Sequence, residues 1–510
     1  MLAKVYSYGM SGLDAFPVTI EVDVALGLPA INIVGLPDSA IKESKERVRS
    51  AIKNSGYDFK PRRITVNLSP ANTKKGGPSF DLAIALGILA AGEQIPSTNF
   101  EQYAILGELS LDGRIQPTAG SLSIALAVKM NLFKGLILPF ANAAEAALAN
   151  HTQIFPVKNL SEVVYFLQNP QSIPPYHVDI NSLFEKANHY DINFSEVKGQ
   201  SHVKRGLEIA ASGAHNILLL GPPGSGKSML AKRLPTILPD MNLEEAVETT
   251  KIYSAMGYLP SAQGLMARRP FRSPHHTTSE AAVVGGGSLP KPGEVTLSHH
   301  GVLFLDELPE FNRSVLESLR QPLEDQYVTI ARASKSIRFP SKFMLVGAMN
   351  PCPCGWLTDR RRKCNCTSLQ IQRYLSKISG PLLDRIDIHL EVPTLSSTEM
   401  FSNTKAEASE DVKQRTTRSR RIQQERFRLT EIHANAQMNK KQLETFCILS
   451  EESKDLLNKA MQELNLSARA YDKILKVSRT IADLEGEERI IPQHIAEAIS
   501  YRSLDRNWGR

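Results

Sequence analysis

The chain has 510 residues, a formal net charge of +7 and 42% hydrophobic side chains. That length and apolar content allow about three ordinary domains and a sizeable core, which excludes wholesale disorder. The start at Met1–Tyr6 lacks a signal-peptide core, no apolar run reaches the roughly 18 residues of a membrane span, and five cysteines do not make a secreted disulfide framework, so a cytoplasmic protein is expected, whose basic balance permits a polyanionic partner without requiring one.

The first segment, residues 1–175, reads as α+β. Val18, Ile20, Val22 and Val24 alternate with Thr19, Glu21 and Asp23, the period of a half-buried strand. Ile64, Val66 and Leu68 repeat it. Between them, Asp38–Asn54 reads as an amphipathic helix with Ile41, Val48 and Ile52 inward, and Phe80–Ala91 as a second, apolar helix. Gln168–Tyr176 carries the Pro, Asn and Ser of a linker.

Residues 190–395 read as a parallel α/β core, with apolar strands joined by helices. Ile217–Leu220 is a buried-strand pattern that runs into Gly221-Pro222-Pro223-Gly224-Ser225-Gly226-Lys227-Ser228, followed by the helix-compatible Met229–Leu234. Strand, Gly-rich turn and helix in that order make a phosphate loop. Its backbone N–H groups surround a phosphate, Lys227 neutralises the β/γ-phosphates, and the Ser228 hydroxyl holds Mg²⁺. ATP and Mg²⁺ are therefore the expected cofactors. A second apolar run, Gly301–Leu305, ends in Asp306-Glu307. At the carboxyl end of a buried strand, Asp306 would orient the Mg²⁺ shell and Glu307 polarise the attacking water. A third run, Phe343–Met349, ends in Asn350, whose amide is suited to placing that water. The long stretch between Lys227 and Asp306 predicts an insertion, punctuated by Gly285-Gly286-Gly287 and Pro290-Lys291-Pro292-Gly293.

Directly after Asn350 come two C-x-C pairs, Cys352/Cys354 and Cys364/Cys366. Four thiolates so close together suit tetrahedral Zn²⁺, with free or redox thiols as the alternative. Arg360–Lys363 is expected to lower their pKa values. Cys447 has no partner nearby and reads as a core residue. Residues 396–432 turn charged. Their run Lys413, Arg415, Arg418, Arg420, Arg421, Arg426 and Arg428 fits either DNA binding or a solvated helix bridging core and lid. Residues 433–510 read as a helical lid, with Ala468–Ile481 strongly periodic and Pro492 opening another helix.

The phosphate loop, the Asp306-Glu307 strand and Asn350 together resemble an AAA+ ATPase. Arg272–Thr277, Gly301–Phe311 and Gly380–Asp387 resemble its magnesium-chelatase-like branch, and the whole layout resembles the ComM/YifB family. The resemblance implies a ring, a homo-hexamer, whose ATP sites are shared between neighbours. It puts Arg385 at the trans-acting arginine finger and Arg469, in Leu466–Tyr471, at the sensor-2 position, with Arg479 a weaker candidate. It makes 254–292 a pore-facing insert. A hairpin between Val328–Ile330 and Ile337–Phe339 would bring Arg332 and Lys335 to DNA in the channel, where a ring of cations tracks a phosphate backbone without reading sequence. The implied activity is branch migration of recombination intermediates during uptake of foreign DNA. A chelatase-type motor remodelling a protein partner and an ATP-dependent protease are the competing readings.

The first domain also resembles the Lon protease domain, in Lys75–Asp81 (its serine loop) and Gly107–Arg114 (its following hairpin). The base lysine of that family would fall at Leu122. A serine without its base is a poor nucleophile, so a non-proteolytic scaffold is expected, with Ser79 serving as a helix N-cap.

Overall fold

The computed structural model describes residues 2–129, 132–187, 190–260, 264–287, 290–332, 335–359, 361–395, 406–430, 432–464 and 466–502. Parts of the expected insert (261–263, 288–289), linker (396–405) and lid (503–510) lie outside the described residues. The chain divides into two compact units: Met1–Asn188 with Asn242–Ala267, and His189–Met241 with Arg268–Arg510. Among the described residues no helix is long and apolar enough to cross a membrane.

In the first unit the strands are β1 (Leu2–Ser11), β2 (Asp14–Ala25), β3 (Ala30–Val34), β4 (Arg63–Ser69), β5 (Tyr103–Ile105), β6 (Glu108–Leu109), β7 (Ile115–Gln116), β8 (Gly135–Pro139) and β9 (Ile154–Val157). Seven form one mixed sheet in the order β3-β4-β2-β1-β5-β8-β9, and β6-β7 form a separate hairpin. The alternation in β2 does what its period dictates: Val18, Ile20 and Val22 are buried while Glu21 and Asp23 are not. The helix Ser39–Asn54 starts where the Asp38 carboxylate accepts the Ile41 N–H at 2.9 Å, and it buries Ile41, Val48 and Ile52. The helix Asp81–Ala91 is buried on every side. Ser79 does not cap it. A 3₁₀ turn, Pro78–Phe80, precedes the helix, and its first turn takes no side-chain cap; what Ser79 offers is its carbonyl, to the Gly107 N–H at 2.9 Å.

The helix Leu243–Ala255 follows the phosphate-loop helix in sequence but belongs to the first unit. An Asn242/Glu245 capping box starts it. Lys251 pairs with Asp14 at 2.8 Å, and the Ser254 carbonyl accepts the Gly120 N–H at 2.9 Å. The segment expected as one insert is thus split: it reaches the first unit as far as Ala267, and from Arg268 it belongs to the second. Its polar helix faces (Glu245, Thr249, Thr250 and Ser254, all buried) concealed this packing from a hydrophobic-period argument.

In the second unit β10 (Ile217–Leu220), β11 (Phe271–Arg272), β12 (Gly285–Gly286), β13 (Lys291–Pro292), β14 (Val302–Leu305), β15 (Tyr327–Arg332), β16 (Lys335–Pro340), β17 (Met344–Met349) and β18 (Ile388–Glu391) include a five-stranded sheet, β11-β14-β17-β10-β18. Each of its pairings is parallel, and three of its four longer strands (β10, β14 and β17) are apolar runs, as sheets covered on both faces require; β18 carries His389 and Glu391. The helical C-terminal region shares this core: Val412, Phe427, Ile474, Val477, Ile481 and Ile495 pack in one cluster with Ile217, Val346 and Ile388.

The charged stretch before the lid forms the helix Ser409–Arg426, and much of its positive charge is spent internally. Lys413 pairs with Asp240 at 2.6 Å, Arg415 with Glu208 at 2.5 Å, and Arg426 with Asp483 at 2.7 Å. Buried Arg420 donates to the Ser212 carbonyl at 3.0 Å. The bridging reading of this run holds for those four side chains; Arg418, Arg421 and Arg428 are exposed.

Candidate nucleotide site

Three adjacent strands of the second sheet end on the same edge. The phosphate loop follows β10, Asp306 follows β14, and Asn350 follows β17. Parallel pairing makes this convergence automatic, because carboxyl ends of neighbouring parallel strands face one crevice. Gly224 and Gly226 hold the turn at φ values of 75° and 94°, which side chains resist. The helix Lys227–Arg233 begins immediately. The Lys227 ammonium donates to the Gly221 carbonyl at 2.7 Å, the Pro222 carbonyl at 2.9 Å and Asn350 Oδ1 at 3.1 Å. Burial lowers its pKa, opposed by Asp306 and Glu307. Ser228 Oγ donates to Asp306 Oδ2 at 2.6 Å. A hydroxyl and a carboxylate in contact beside a lysine fit the coordination of Mg²⁺ on a nucleotide triphosphate.

Glu307 sits at φ 51°, a left-handed conformation that costs a non-glycine residue energy, and its side chain is 62% exposed. His276 Nδ1 lies 3.5 Å from Glu307 Oε2, and the His276 ring meets Phe311 edge-on. Sequence reasoning singled out the segment Arg272–Thr277 without giving His276 a role. The signal available was two histidines a few positions beyond the short strand β11, paired in parallel with β14, which delivers the acidic pair.

The four cysteines come together. Their sulfur atoms all lie within 4.8 Å of one another, with Cys352–Cys354 at 3.4 Å, Cys354–Cys364 at 3.5 Å and Cys352–Cys364 at 3.7 Å. Tetrahedral zinc with ~2.3 Å Zn–S bonds needs sulfurs about 3.8 Å apart, so the donor set fits the metal. Burial pushes the Cys352 thiol up to about 12, while the backbone N–H groups of Trp356 and Asn365 bring Cys354 down to about 6. For Cys354 alone, backbone dipoles do what the sequence assigned to Arg360–Lys363, while Cys352 and Cys366 are raised; Arg360 itself lies outside the described residues. This loop touches the phosphate loop. At Gly355 (φ 85°) a Cβ would come within 2.5 Å of Pro223 Cδ. Cys447 is buried in the helical core, as expected.

Arg385 and Arg469 lie at the other edge of the sheet. Asp387 precedes β18, whose Ile388 pairs with Ile217 at the start of β10, one strand length (about 13 Å) from the phosphate-loop end. Arg385 pairs with Glu324 and donates to the Pro381 carbonyl; its Nε–H has no partner among the described residues. Arg469 donates to Asp384 at 2.9 Å. The two arginines are therefore brought together through the Asp384-Arg385 pair, and neither joins Lys227 and Asp306. Arg479 is buried against Asp483 and two backbone carbonyls.

The hairpin β15-β16 forms as read, with Arg332 paired to Lys335; the side chains of both lie outside the described residues. In the first unit, Leu122 is fully buried. The Lys75 ammonium, also buried, donates to the Gly35 carbonyl at 3.1 Å, the Leu68 carbonyl at 3.0 Å and the Pro70 carbonyl. With its three protons so engaged, Lys75 is no base for Ser79.

Three family models match successive parts of the chain. Magnesium chelatase, subunit ChlI, matches residues 193–400, the ChlI subunit of Mg-chelatase matches 20–142, and the ChlI C-terminal region matches 406–502. The chain is 43% identical over 508 residues to the competence protein ComM of Haemophilus influenzae, covering 99% of this chain and 98% of that one. It is 42% identical over 509 residues to the uncharacterized protein YifB of Escherichia coli, with the same coverage. Lon protease 2 of Bacillus subtilis is 28% identical over 191 residues, 34% of each chain.

Proposed function

The chain belongs to the ComM/YifB family of magnesium-chelatase-like AAA+ proteins, and from that premise we propose that it is an ATP-hydrolysing motor that closes as a six-membered ring on DNA. One observation carries the reading. Lys227, Ser228, Asp306 and Asn350 meet at one edge of the sheet, while Arg385 and Arg469 are held at the opposite edge. A site whose cations lie a strand length from its phosphates within one chain is completed by a second copy.

The roles follow from the chemistry. Lys227 and the N–H groups of the loop bind the β/γ-phosphates. Ser228 and Asp306 hold Mg²⁺, Glu307 polarises water, and Asn350 orients it. Arg385 reaches the neighbour's γ-phosphate, where a guanidinium stabilises charge that develops in transfer. Arg469, fixed beside it by Asp384, serves the same shared seam rather than the site of its own chain. Cys352, Cys354, Cys364 and Cys366 hold a structural Zn²⁺ that stiffens the loop packed on Pro223. The Lon-like unit is a non-proteolytic scaffold. Arg332 and Lys335 contribute cations to the channel, and the motor drives branch migration of recombination intermediates in the cytoplasm. The name of the ComM relative supports a role in competence.

ATP turnover with and without forked DNA at low salt tests this. Stimulation is expected, and a DNA-indifferent hexamer would contradict it. The chelatase descriptions matching most of the chain favour a second reading, a motor that remodels a protein partner. That reading predicts turnover stimulated by such a partner and not by DNA.

A further inference from the structure

We propose that Lys473 and Asp387 are positioning residues whose buried ion pair aims Arg385 at the nucleotide of a neighbouring copy. The proposal rests on reading Arg385 as the trans-acting arginine.

The four residues Asp384–Asp387 are held one by one. Asp384 pairs with Arg469. The Arg385 carbonyl accepts the Asn216 side-chain N–H at 2.9 Å. The Ile386 carbonyl accepts Arg502 Nη1–H at 2.6 Å. Asp387, 1% exposed, accepts the Asn216 backbone N–H at 3.1 Å, faces His215 Nδ1 at 3.3 Å, and pairs through its other oxygen with Lys473. Burial opposes ionisation of Asp387, but Lys473 and His215 overcome it and hold the carboxyl below its usual range.

The contacts on the lid side come from one stripe of the helix Ala468–Glu485. Arg469 reaches Asp384, Lys473 reaches Asp387, and Thr480 reaches His215 Nε2 at 2.8 Å. Spacings of four and seven put these three side chains on one face. A helix keyed at three points along one edge of the core cannot slide or roll without moving the arginine loop. Apolar packing would supply stability as well as this buried charge does, and directionality is what an ion pair adds. The backbone of Arg385 is thereby fixed from both sides, while its guanidinium is held by Glu324 and the Pro381 carbonyl. Asn216 extends the same connection: its Oδ1 accepts the Leu345 N–H at 2.8 Å at the start of β17, the strand that ends at Asn350.

The test is subunit mixing with the full-length chain. Lys473→Met should lower kcat roughly ten- to a hundredfold, the range a misplaced group costs, with KM for ATP within about twofold of wild type, and Lys473→Arg should retain most activity. Glu307→Gln rings are inactive but carry intact arginine loops. Mixed with Lys473→Met, they should restore turnover, because Lys473→Met sites then draw Arg385 from a Glu307→Gln neighbour. The charge-free pair Lys473→Met/Asp387→Asn avoids a stranded buried carboxylate and should behave the same way if the single variant fails to fold. An Arg385→Ala mixture with Glu307→Gln is the control. If it recovers and the Lys473 mixtures do not, Lys473 acts within its own chain and the proposal is wrong. If the control also fails to recover, the trans reading of Arg385 falls, and the proposal with it. Undiminished kcat in Lys473→Met would overturn it directly.

Discussion

Ser228 Oγ donates to Asp306 Oδ2 at 2.6 Å, joining the first turn of the phosphate-loop helix to the end of the strand two places away in the sheet. Lys227 makes the matching link to Asn350 on the strand between them. Three strand ends are thus cross-braced around one crevice. Lys227→Ala should abolish turnover and weaken nucleotide binding. Glu307→Gln should abolish turnover while keeping ATP bound, since Glu307 makes neither brace. Single-turnover hydrolysis alongside fluorescent-nucleotide binding separates the two; normal turnover in either variant refutes the site.

The cysteine loop gives an independent handle. Gly355→Ala puts a Cβ at φ 85° and 2.5 Å from Pro223 Cδ, so either the cysteine loop or the phosphate loop must shift. Nucleotide affinity should fall about tenfold, the ~1–3 kcal/mol that such strain costs. Metal analysis of the wild-type protein should find one Zn²⁺ per chain, and a Cys364→Ser variant should lose it. Unchanged affinity in Gly355→Ala would show that the contact is incidental.

If Arg385 serves a neighbour's nucleotide, Glu324 is a partner it has to leave. It is 57% exposed, and such pairs are weak. Glu324→Gln should therefore raise turnover per chain at low protein concentration by roughly two- to fivefold, whereas Arg385→Ala should abolish it. A fall in turnover on removing Glu324 would mean that it orients the arginine rather than retaining it.

Lys476 predicts a pH signature in the lid. Burial lowers its pKa to about 8, although it donates to the Ala436 carbonyl at 2.9 Å. Between pH 8 and the ordinary lysine range the unfolded chain binds a proton that the folded chain has released, so stability gains as pH rises. Relative to Lys476→Met, the wild type should gain up to about 3 kcal/mol across that window. Chemical denaturation at pH 7.5 and pH 10 measures it; a pH-independent difference would contradict the burial argument.

The meeting of Lys227, Ser228, Asp306 and Asn350 at the candidate site was legible in the sequence. A Gly-rich turn after an apolar run admits few geometries, and parallel strands gather their ends without further instruction. The Asp384–Arg469 contact was not legible, because the lysine and arginine pattern of the lid helix does not say which carboxylates it meets across 85 residues of sequence. Nor was the packing of Leu243–Ala255 on the first unit, since a helix that buries threonines and a glutamate has no apolar period to read. The basic run was legible only as two alternatives, because charge alone does not say what a side chain faces: Lys413, Arg415, Arg420 and Arg426 meet acids and carbonyls of their own chain, as the bridging alternative requires.

The most direct measurement is an image of the full-length particle with a nonhydrolysable ATP analogue and a forked duplex. A closed six-membered ring with DNA in the channel is predicted, each nucleotide touching Lys227 and Asp306 of one chain and Arg385 of the next. A monomeric particle, or a nucleotide enclosed by one chain with every Arg385 still paired to its own Glu324, would contradict the account.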